Sequence, residues 1–219
     1  MSPAHTLVEL GAELARAGLT TGQAGNVSVR DGDRVLMTPT NADLGRLDPA
    51  RLSVVDAAGR LLDGPRPTKE MRLHLAMYQR DPAAGAVVHA HSAAATAVSC
   101  LPPWSEHTAI LPLTPYVLMK VGQVPLIPYR APGDPGQAVL IAEHPLAFRG
   151  ALLANHGSIV AAGDSESALA AAIEIEQACR VMLDLRDTAA RSLTEGQIEE
   201  LVARSGTPWT PPTSGSLVG

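Results

Sequence analysis

Hydrophobic positions along the 219-residue chain follow two periods, and the switches between them outline the fold. Leu7, Leu10, Leu14 and Ala17 repeat at helical spacing, and Gly18 can stop the helix they predict over about residues 6–17. After glycines at 22 and 25, Val27 and Val29 change to a period of two, and Asp31-Gly32 turns that strand into a second, RVLMT. A polar loop, PTNADLGRLDP, leads to a strand at LSVVD and a short one at LLDG. Pro65 and Pro67 introduce a helix from Thr68 to about Arg80, which Asp81-Pro82 ends. AGAVVHAHS reads as a strand and SAAATAVSC as a short helix of small residues. The proline-punctuated stretch LPPWSEHTAILPLTPYVLMKVG is the least regular. VPLIPY is a strand, QAVLIAEHP a helix, and ALLANH with SIVAAG a buried hairpin about Gly157. Asp164-Ser165 can cap a long helix to about Leu185, and Thr194 with Gln197 has capping-box spacing for a last helix over about residues 194–203.

Strands and helices are interspersed, yet several strands join by short turns. This predicts a single-domain α/β chain, layered α/β/α, with a central mixed, largely antiparallel sheet flanked by helices. No repeat or linker divides it. Residues 1–205 are expected to form one domain, and residues 206–219, rich in Pro, Ser and Gly, a mobile tail.

Composition narrows the function. Hydrophobic residues make up 46% but aromatics only 3%, so the core must be aliphatic and alanine-rich. A net charge of −5 argues against a nucleic-acid or anionic-membrane surface, though not against a small anionic substrate. No apolar run approaches the roughly 18–20 residues of a membrane span. The start, MSPAHTLVELGAEL, lacks the basic and apolar regions of a secretory signal. Cys100 and Cys179 read as buried free thiols, which suits a reducing cytoplasm.

The candidate chemistry centres on TKEMRLHLAMYQRDPAAGAVVHAHS, from Thr68 to Ser92. His89 and His91 alternate on a strand and so share a face, where two imidazoles can hold one metal ion. His156, beside Gly157, is a candidate third ligand; alone it reads as readily as a core histidine at a turn. Glu70 falls in the first turn of its helix, where a carboxylate either complements the helix dipole or serves as a general acid/base. His5, His74, His107 and His144 have no ligand-like spacing; His74, one helical turn after Glu70, could hydrogen-bond to it but reads more readily as a surface-facing helix residue. Gly25-Asn26, Thr38-Pro39-Thr40-Asn41 and Thr68-Lys69 are loops rich in small donors, the last at a helix N-terminus that favours phosphate.

Taken together, AGNVSVR, MTPT, P-T-K-E, AVVHAHS and LLANHG, in this order and spacing, resemble the class II zinc-dependent aldolase/adducin family over nearly the whole chain. The resemblance implies that His89, His91 and His156 bind one Zn²⁺ per subunit, with Mn²⁺, Co²⁺ or Ni²⁺ also suited to the set. It implies Glu70 as acid/base, nineteen residues before His89, and Asn26, Thr40 and Thr68 as phosphate contacts. Tyr116 matches a tyrosine that reaches a neighbouring subunit's site, which implies a homotetramer with sites at subunit interfaces. Two positions depart from the aldolases: Asn41 stands where they usually have Gly, and Lys69 where they usually have Ser.

Those departures, with TPTN-x-x-LGRLDP, LP-x-LTPY and PYRAPGDP, look like the branch of 3-oxo-tetronate 4-phosphate decarboxylases. That likeness implies decarboxylation to dihydroxyacetone phosphate and CO₂ through a metal-stabilised enediolate, with Lys69 and Asn41 among the substrate contacts. The alternative is a fuculose-phosphate-type aldolase cleaving a ketose 1-phosphate to dihydroxyacetone phosphate and an aldehyde. A sugar-phosphate 4-epimerase usually has Asp at the position of Glu70. An adducin-like interaction module would lack the metal ligands.

Overall fold

The computed structural model describes residues 2–212. Helix α1 (Pro3–Arg16) starts at Ser2, whose hydroxyl accepts from the His5 N–H, and buries Leu7, Leu10 and Leu14. A hairpin follows, β1 (Asn26–Asp31) and β2 (Arg34–Met37), then β3 (Ser53–Asp56) and β4 (Leu61–Asp63). Helix α2 (Met71–Arg80) leads to β5 (Ala86–Ala90), then α3 (Ala93–Ser99) and α4 (Pro115–Lys120). The chain continues with β6 (Leu126–Ile127), α5 (Pro135–Ala142), β7 (Gly150–Leu153) and β8 (Gly157–Ala162). It closes with the long α6 (Ser165–Asp184) and with α7 (Glu195–Ser205), whose Thr194–Gln197 capping box is formed.

The eight strands make one sheet in the order β4-β3-β2-β1-β5-β8-β7-β6. Only the β6–β7 pair is parallel, so the sheet is mixed and largely antiparallel. Side-chain alternation sends Ala86, Val88 and Ala90 of β5 to one face, against α1, α3, α4 and α6. Val87, Ile159 and Ala161 go to the other, against α2 and α5. Three layers result, and the three histidines of the candidate site lie in β5 (His89), just after it (His91) and just before β8 (His156), near the centre of the sheet.

Three expectations are corrected. Helix α2 begins at Met71, not Thr68, so Glu70 occupies the N-cap position and makes no capping bond with its side chain. Its carboxylate is turned into the protein rather than onto the helix end. His91 lies one residue beyond β5, whose last member is Ala90. Cys100 is exposed, because it follows α3 at the surface; only Cys179 is buried. The proline-rich stretch also holds a short helix, α4, started by Pro115. Residues 206–212 lie against the helices: the Thr207 hydroxyl donates to the Leu118 carbonyl at 2.7 Å, and Gln123 N–H to the Pro208 carbonyl at 2.9 Å. The rest of the expected tail, residues 213–219, lies outside the described residues.

One buried acid ties two helices of the same layer together near the site. Glu176 of α6 accepts from the N–H groups of Ala94 (3.0 Å) and Ala95 (2.8 Å), the first turn of α3, where Ser92 forms no capping bond. That contact anchors α3 directly after His91. Glu176→Ala leaves two buried donors unpaired, and the expected loss is about 2–4 kcal/mol in urea unfolding of the metal-free protein.

Candidate metal centre and its cleft

The tight ends of two neighbouring strands bring the histidines together. His89 faces the α2 side of β5, and His91 follows after the strand turns toward α3. His156 arrives from the β7–β8 turn, where Asn155 takes φ 56°. Asparagine tolerates that left-handed conformation better than other residues with a side chain. The His156 backbone is tethered at both ends: its N–H donates to Leu153 O (3.0 Å) and to Ser99 Oγ (3.2 Å), and its carbonyl accepts from Thr96 Oγ1 (3.2 Å).

Two glycines allow the close approach. A Cβ on Gly25, where φ is +75°, would come within 2.7 Å of the His89 carbonyl oxygen. One on Gly157 would come within 2.4 Å of the Ala90 carbonyl and 3.3 Å of His91 Cα. These are backbone atoms of the ligand-bearing strand and cannot swing aside. Gly157→Ala is therefore expected to destabilise the fold by about 1–3 kcal/mol and to disorder the histidine set, read as substoichiometric metal by elemental analysis.

Glu70, His89, His91 and His156 each offer a ligating atom within 4.8 Å of the others. The ring centroids of the three imidazoles lie 4.7–4.9 Å apart. His89 Nδ1–H donates to the Ser158 carbonyl at 2.8 Å, which turns Nε2 toward His91 Nε2 (2.8 Å) and Glu70 Oε2 (3.2 Å). His156 Nε2 lies 3.2 Å from Glu70 Oε1, yet both its ring nitrogens are buried without a hydrogen-bond partner. Orphaned buried imidazole nitrogens beside a carboxylate fit a divalent cation, because the cation would satisfy lone pairs that the protein does not. The carboxylate stands within the cluster itself, closer than a group at a helix start would be.

The electrostatics agree. Burial by itself raises the Glu70 carboxyl, but the charge of His89, then the close imidazoles of His156 and His89 and the hydrogen bond from Asn26, outweigh it and hold the group well below the usual carboxylate range. Burial lowers His89, but Glu70 more than offsets this and the net shift is upward. The site thus favours positive charge between these residues, as a shared proton or as a metal ion. Burial, then the neighbouring His89 and His156, lower His91 to about 4, so it is neutral and able to ligate at pH 7.

Beside the cluster opens a cleft of about 150 Å³, lined by Asn26, Thr40, Asn41, Thr68, Lys69, Glu70 and His91 with Gln23, Gly25, Ala42, Pro39 and Pro132. The loop residues singled out in the sequence meet here except Thr38, which is buried with its hydroxyl against the Val27 backbone. Pro39 and Pro67 form an isolated bridge between the two loops, and Thr40 Oγ1 donates to the Pro67 carbonyl at 2.6 Å. That bond uses the Thr40 proton, so Thr68, Lys69, Asn41, Gln23 and the second N–H of Asn26 are the side-chain donors left in the lining. Asn41 takes φ 61°, the conformation that Gly adopts most readily. Its replacement of Gly is thus conformationally mild, and Lys69 is the departure that changes the cleft's charge. Tyr116 is 60% exposed on α4 and is not among the lining residues. A larger cavity of about 890 Å³ between the β1–β2 turn, α2 and α5 shares no residue with the cluster.

The comparisons match this geometry. Residues 5–183 fit the family model "Class II Aldolase and Adducin N-terminal domain". This chain belongs to the class II aldolase and adducin family. Within the family it is 43% identical to the 3-oxo-tetronate 4-phosphate decarboxylase of Haemophilus influenzae, over 90% of this chain and 95% of that one. It is 34% identical to the L-fuculose phosphate aldolase of Escherichia coli, over 82% of each chain. Among solved structures, YgbL from Escherichia coli superposes with a TM-score of 0.86 at 40% identity, over 90% of this chain and 96% of that one. An L-fuculose 1-phosphate aldolase gives 0.81 at 27%, over 92% and 95%. The three-layer fold around a mixed sheet is that of the class II aldolases.

Sequence reasoning missed His74. It is fully buried, not surface-facing, and its Nε2 lies 2.6 Å from Asn26 Oδ1. The overlooked signal was spacing: Glu70, His74 and Tyr78 recur every four residues, one face of a helix, opposite Asn26 and Ser28 on one face of a strand.

Proposed function

We propose that the protein is a metal-dependent carbon–carbon lyase that decarboxylates 3-oxo-tetronate 4-phosphate to dihydroxyacetone phosphate and CO₂. The observation that carries this reading is the junction of the Glu70–His89–His91–His156 cluster with a cleft whose wall presents Thr68 and Lys69. Support for the decarboxylase branch comes from relatives of that name at 40–43% identity, against 34% for the aldolase.

His89, His91 and His156 would hold the ion, for which we propose Zn²⁺; the same nitrogens also suit Mn²⁺, Co²⁺ or Ni²⁺. When bound, the ion supplies Lewis acidity to the substrate's keto oxygen. Asn26, Thr40, Asn41 and Thr68 line the place proposed for the phosphate, and the Lys69 ammonium pairs with the phosphate or the carboxylate. Breaking the C1–C2 bond releases CO₂ and leaves the electron pair on C2, conjugated with the C3 carbonyl. Glu70, ionised at rest, would take up a proton from solvent and pass it to C2, so each turnover consumes one proton. Tyr116, exposed on α4, is proposed to reach the site of a neighbouring subunit in a cytoplasmic homotetramer.

The aldolase reading keeps one specific support: a relative named L-fuculose phosphate aldolase is 34% identical over 82% of each chain. Comparing kcat/KM for 3-oxo-tetronate 4-phosphate and L-fuculose 1-phosphate separates the two, and we expect the keto acid to win. Lys69→Ser is expected to raise KM for the keto acid at least about tenfold, the effect of losing a charge-assisted hydrogen bond. Unchanged KM and kcat would remove Lys69 from the site.

A further inference from the structure

A continuous file of buried polar groups starts at Glu70 Oε2 and runs through β1 and α2 to Tyr78. Asn26 Nδ2 donates to Glu70 Oε2 at 2.8 Å. Asn26 Oδ1 lies 2.6 Å from His74 Nε2, His74 Nδ1 lies 2.7 Å from Ser28 Oγ, and Ser28 Oγ lies 3.0 Å from the Tyr78 hydroxyl. None of these residues is more than 8% exposed.

The donor and acceptor roles along the file have one consistent solution. A carboxylate can only accept, so the Asn26 amide must turn its nitrogen to Glu70 and its oxygen to His74. An amide oxygen can only accept, so His74 must carry its proton on Nε2. A neutral imidazole protonated there has a lone pair on Nδ1, which accepts from Ser28; the Ser28 oxygen then accepts from Tyr78. Burial, followed by the charge of His89, brings His74 down to about 3, consistent with the neutral ring this solution needs. His89 has the opposite tautomer, with Nδ1 protonated toward Ser158.

We propose that Tyr78, Ser28 and His74 are positioning residues that lock the Asn26 amide and, through it, fix which oxygen of Glu70 faces the substrate. Oε2 is held by Asn26 and also faces His89 Nε2 at 3.2 Å, whereas Oε1 has no hydrogen-bond donor and lies 3.2 Å from His156 Nε2. Oε1 is therefore the atom that carries the proton to the reacting carbon. The file orients and does not conduct, because an amide cannot pass a proton along without becoming an imidic acid. Helical spacing of four and strand spacing of two place the members: 70, 74 and 78 on one side, 26 and 28 on the other.

The inference rests on Glu70 acting as the proton donor, and its test has one arm independent of any substrate. In the metal-free full chain, labelled with ¹⁵N-histidine, His74 is expected to be neutral and protonated on Nε2 at pH 7. A ring protonated on Nδ1 alone, or on both nitrogens, overturns the file. In the metal-loaded enzyme, His74→Leu is expected to lower kcat about 10–100-fold, with KM within about threefold and metal stoichiometry unchanged. His74→Gln, whose Nε2 can still donate to Asn26, is expected to recover most of that loss. Ser28→Ala and Tyr78→Phe, milder changes, should each reduce kcat in the same KM-independent way. Unaltered kcat in folded His74→Leu, or no recovery with His74→Gln while Ser28→Ala and Tyr78→Phe are silent, overturns the proposal. The predicted tautomer combined with a wild-type enzyme that releases no CO₂ would instead overturn the reaction assigned above.

Discussion

His156→Ala is expected to abolish stoichiometric metal binding and to cut turnover by at least about 10³-fold, equivalent to roughly 4 kcal/mol of transition-state stabilisation. The reasoning is specific to this residue. Its backbone is fixed by Leu153, Ser99 and Thr96, but neither ring nitrogen has a hydrogen-bond partner. A histidine kept for the core would satisfy at least one nitrogen, as His74 satisfies both. The same variant, measured without metal, should therefore unfold within about 1 kcal/mol of the wild type, because it gives up no hydrogen bond and sheds an unsatisfied polar group. Elemental analysis together with urea unfolding checks both halves. Retained metal and activity would sink the three-histidine site, and a large loss of metal-free stability would make His156 a core residue.

Glu70→Gln is expected to leave metal content and KM near wild type while lowering kcat about 10²–10⁴-fold, the usual worth of a positioned acid/base group. Glutamine keeps the volume, and its side-chain oxygen can still accept from Asn26, so a structural role alone would survive the change. The pH dependence gives a second reading. In the metal-free protein the folded Glu70 carboxyl lies below its ordinary 4.5. Its stabilising contribution is thus fully present above about 4.5 and is lost as pH falls toward the folded value. The stability difference between wild type and Glu70→Gln should shrink between pH 6 and pH 3, read from denaturant midpoints. A difference that grows on acidification would reverse the sign and contradict the ionised, paired carboxylate.

Much of this architecture was legible in residue spacing. The alternation of Val27 and Val29, the apolar hairpin around Gly157 and the capping residues Asp164 and Thr194 mark elements whose local chemistry and tertiary role agree. The joining of His89–His91 with His156 was not legible from spacing, because it depends on β5 lying beside β8, a pairing between residues about seventy positions apart. Only the resemblance of the five motifs linked them. The start of α2 was misplaced because Thr68 and Glu70 look like a cap and first turn, whereas the chain spends them on the bridge to Thr38 and on the cluster. His74 was misread for a related reason. An amphipathic helix shows which face is buried only through its apolar residues, and here the buried face carries Glu70, His74 and Tyr78. Polar residues on a buried helical face are invisible to hydropathy and visible to spacing against a partner strand. The short α4 could not be read at all, since prolines dominate the stretch around it.

Asn41 holds a left-handed turn at the rim of the cleft, and Lys69 brings a positive charge to its lining. A substrate with two anionic ends, a carboxylate and a phosphate, would use that charge.

The most direct measurement is the yield of CO₂ and dihydroxyacetone phosphate when purified, Zn²⁺-loaded protein is given 3-oxo-tetronate 4-phosphate. The account predicts the two products in equal amounts, with loss of both on chelation and return of both when the metal is restored. Absence of CO₂, together with cleavage of a ketose 1-phosphate to dihydroxyacetone phosphate and an aldehyde, would contradict it.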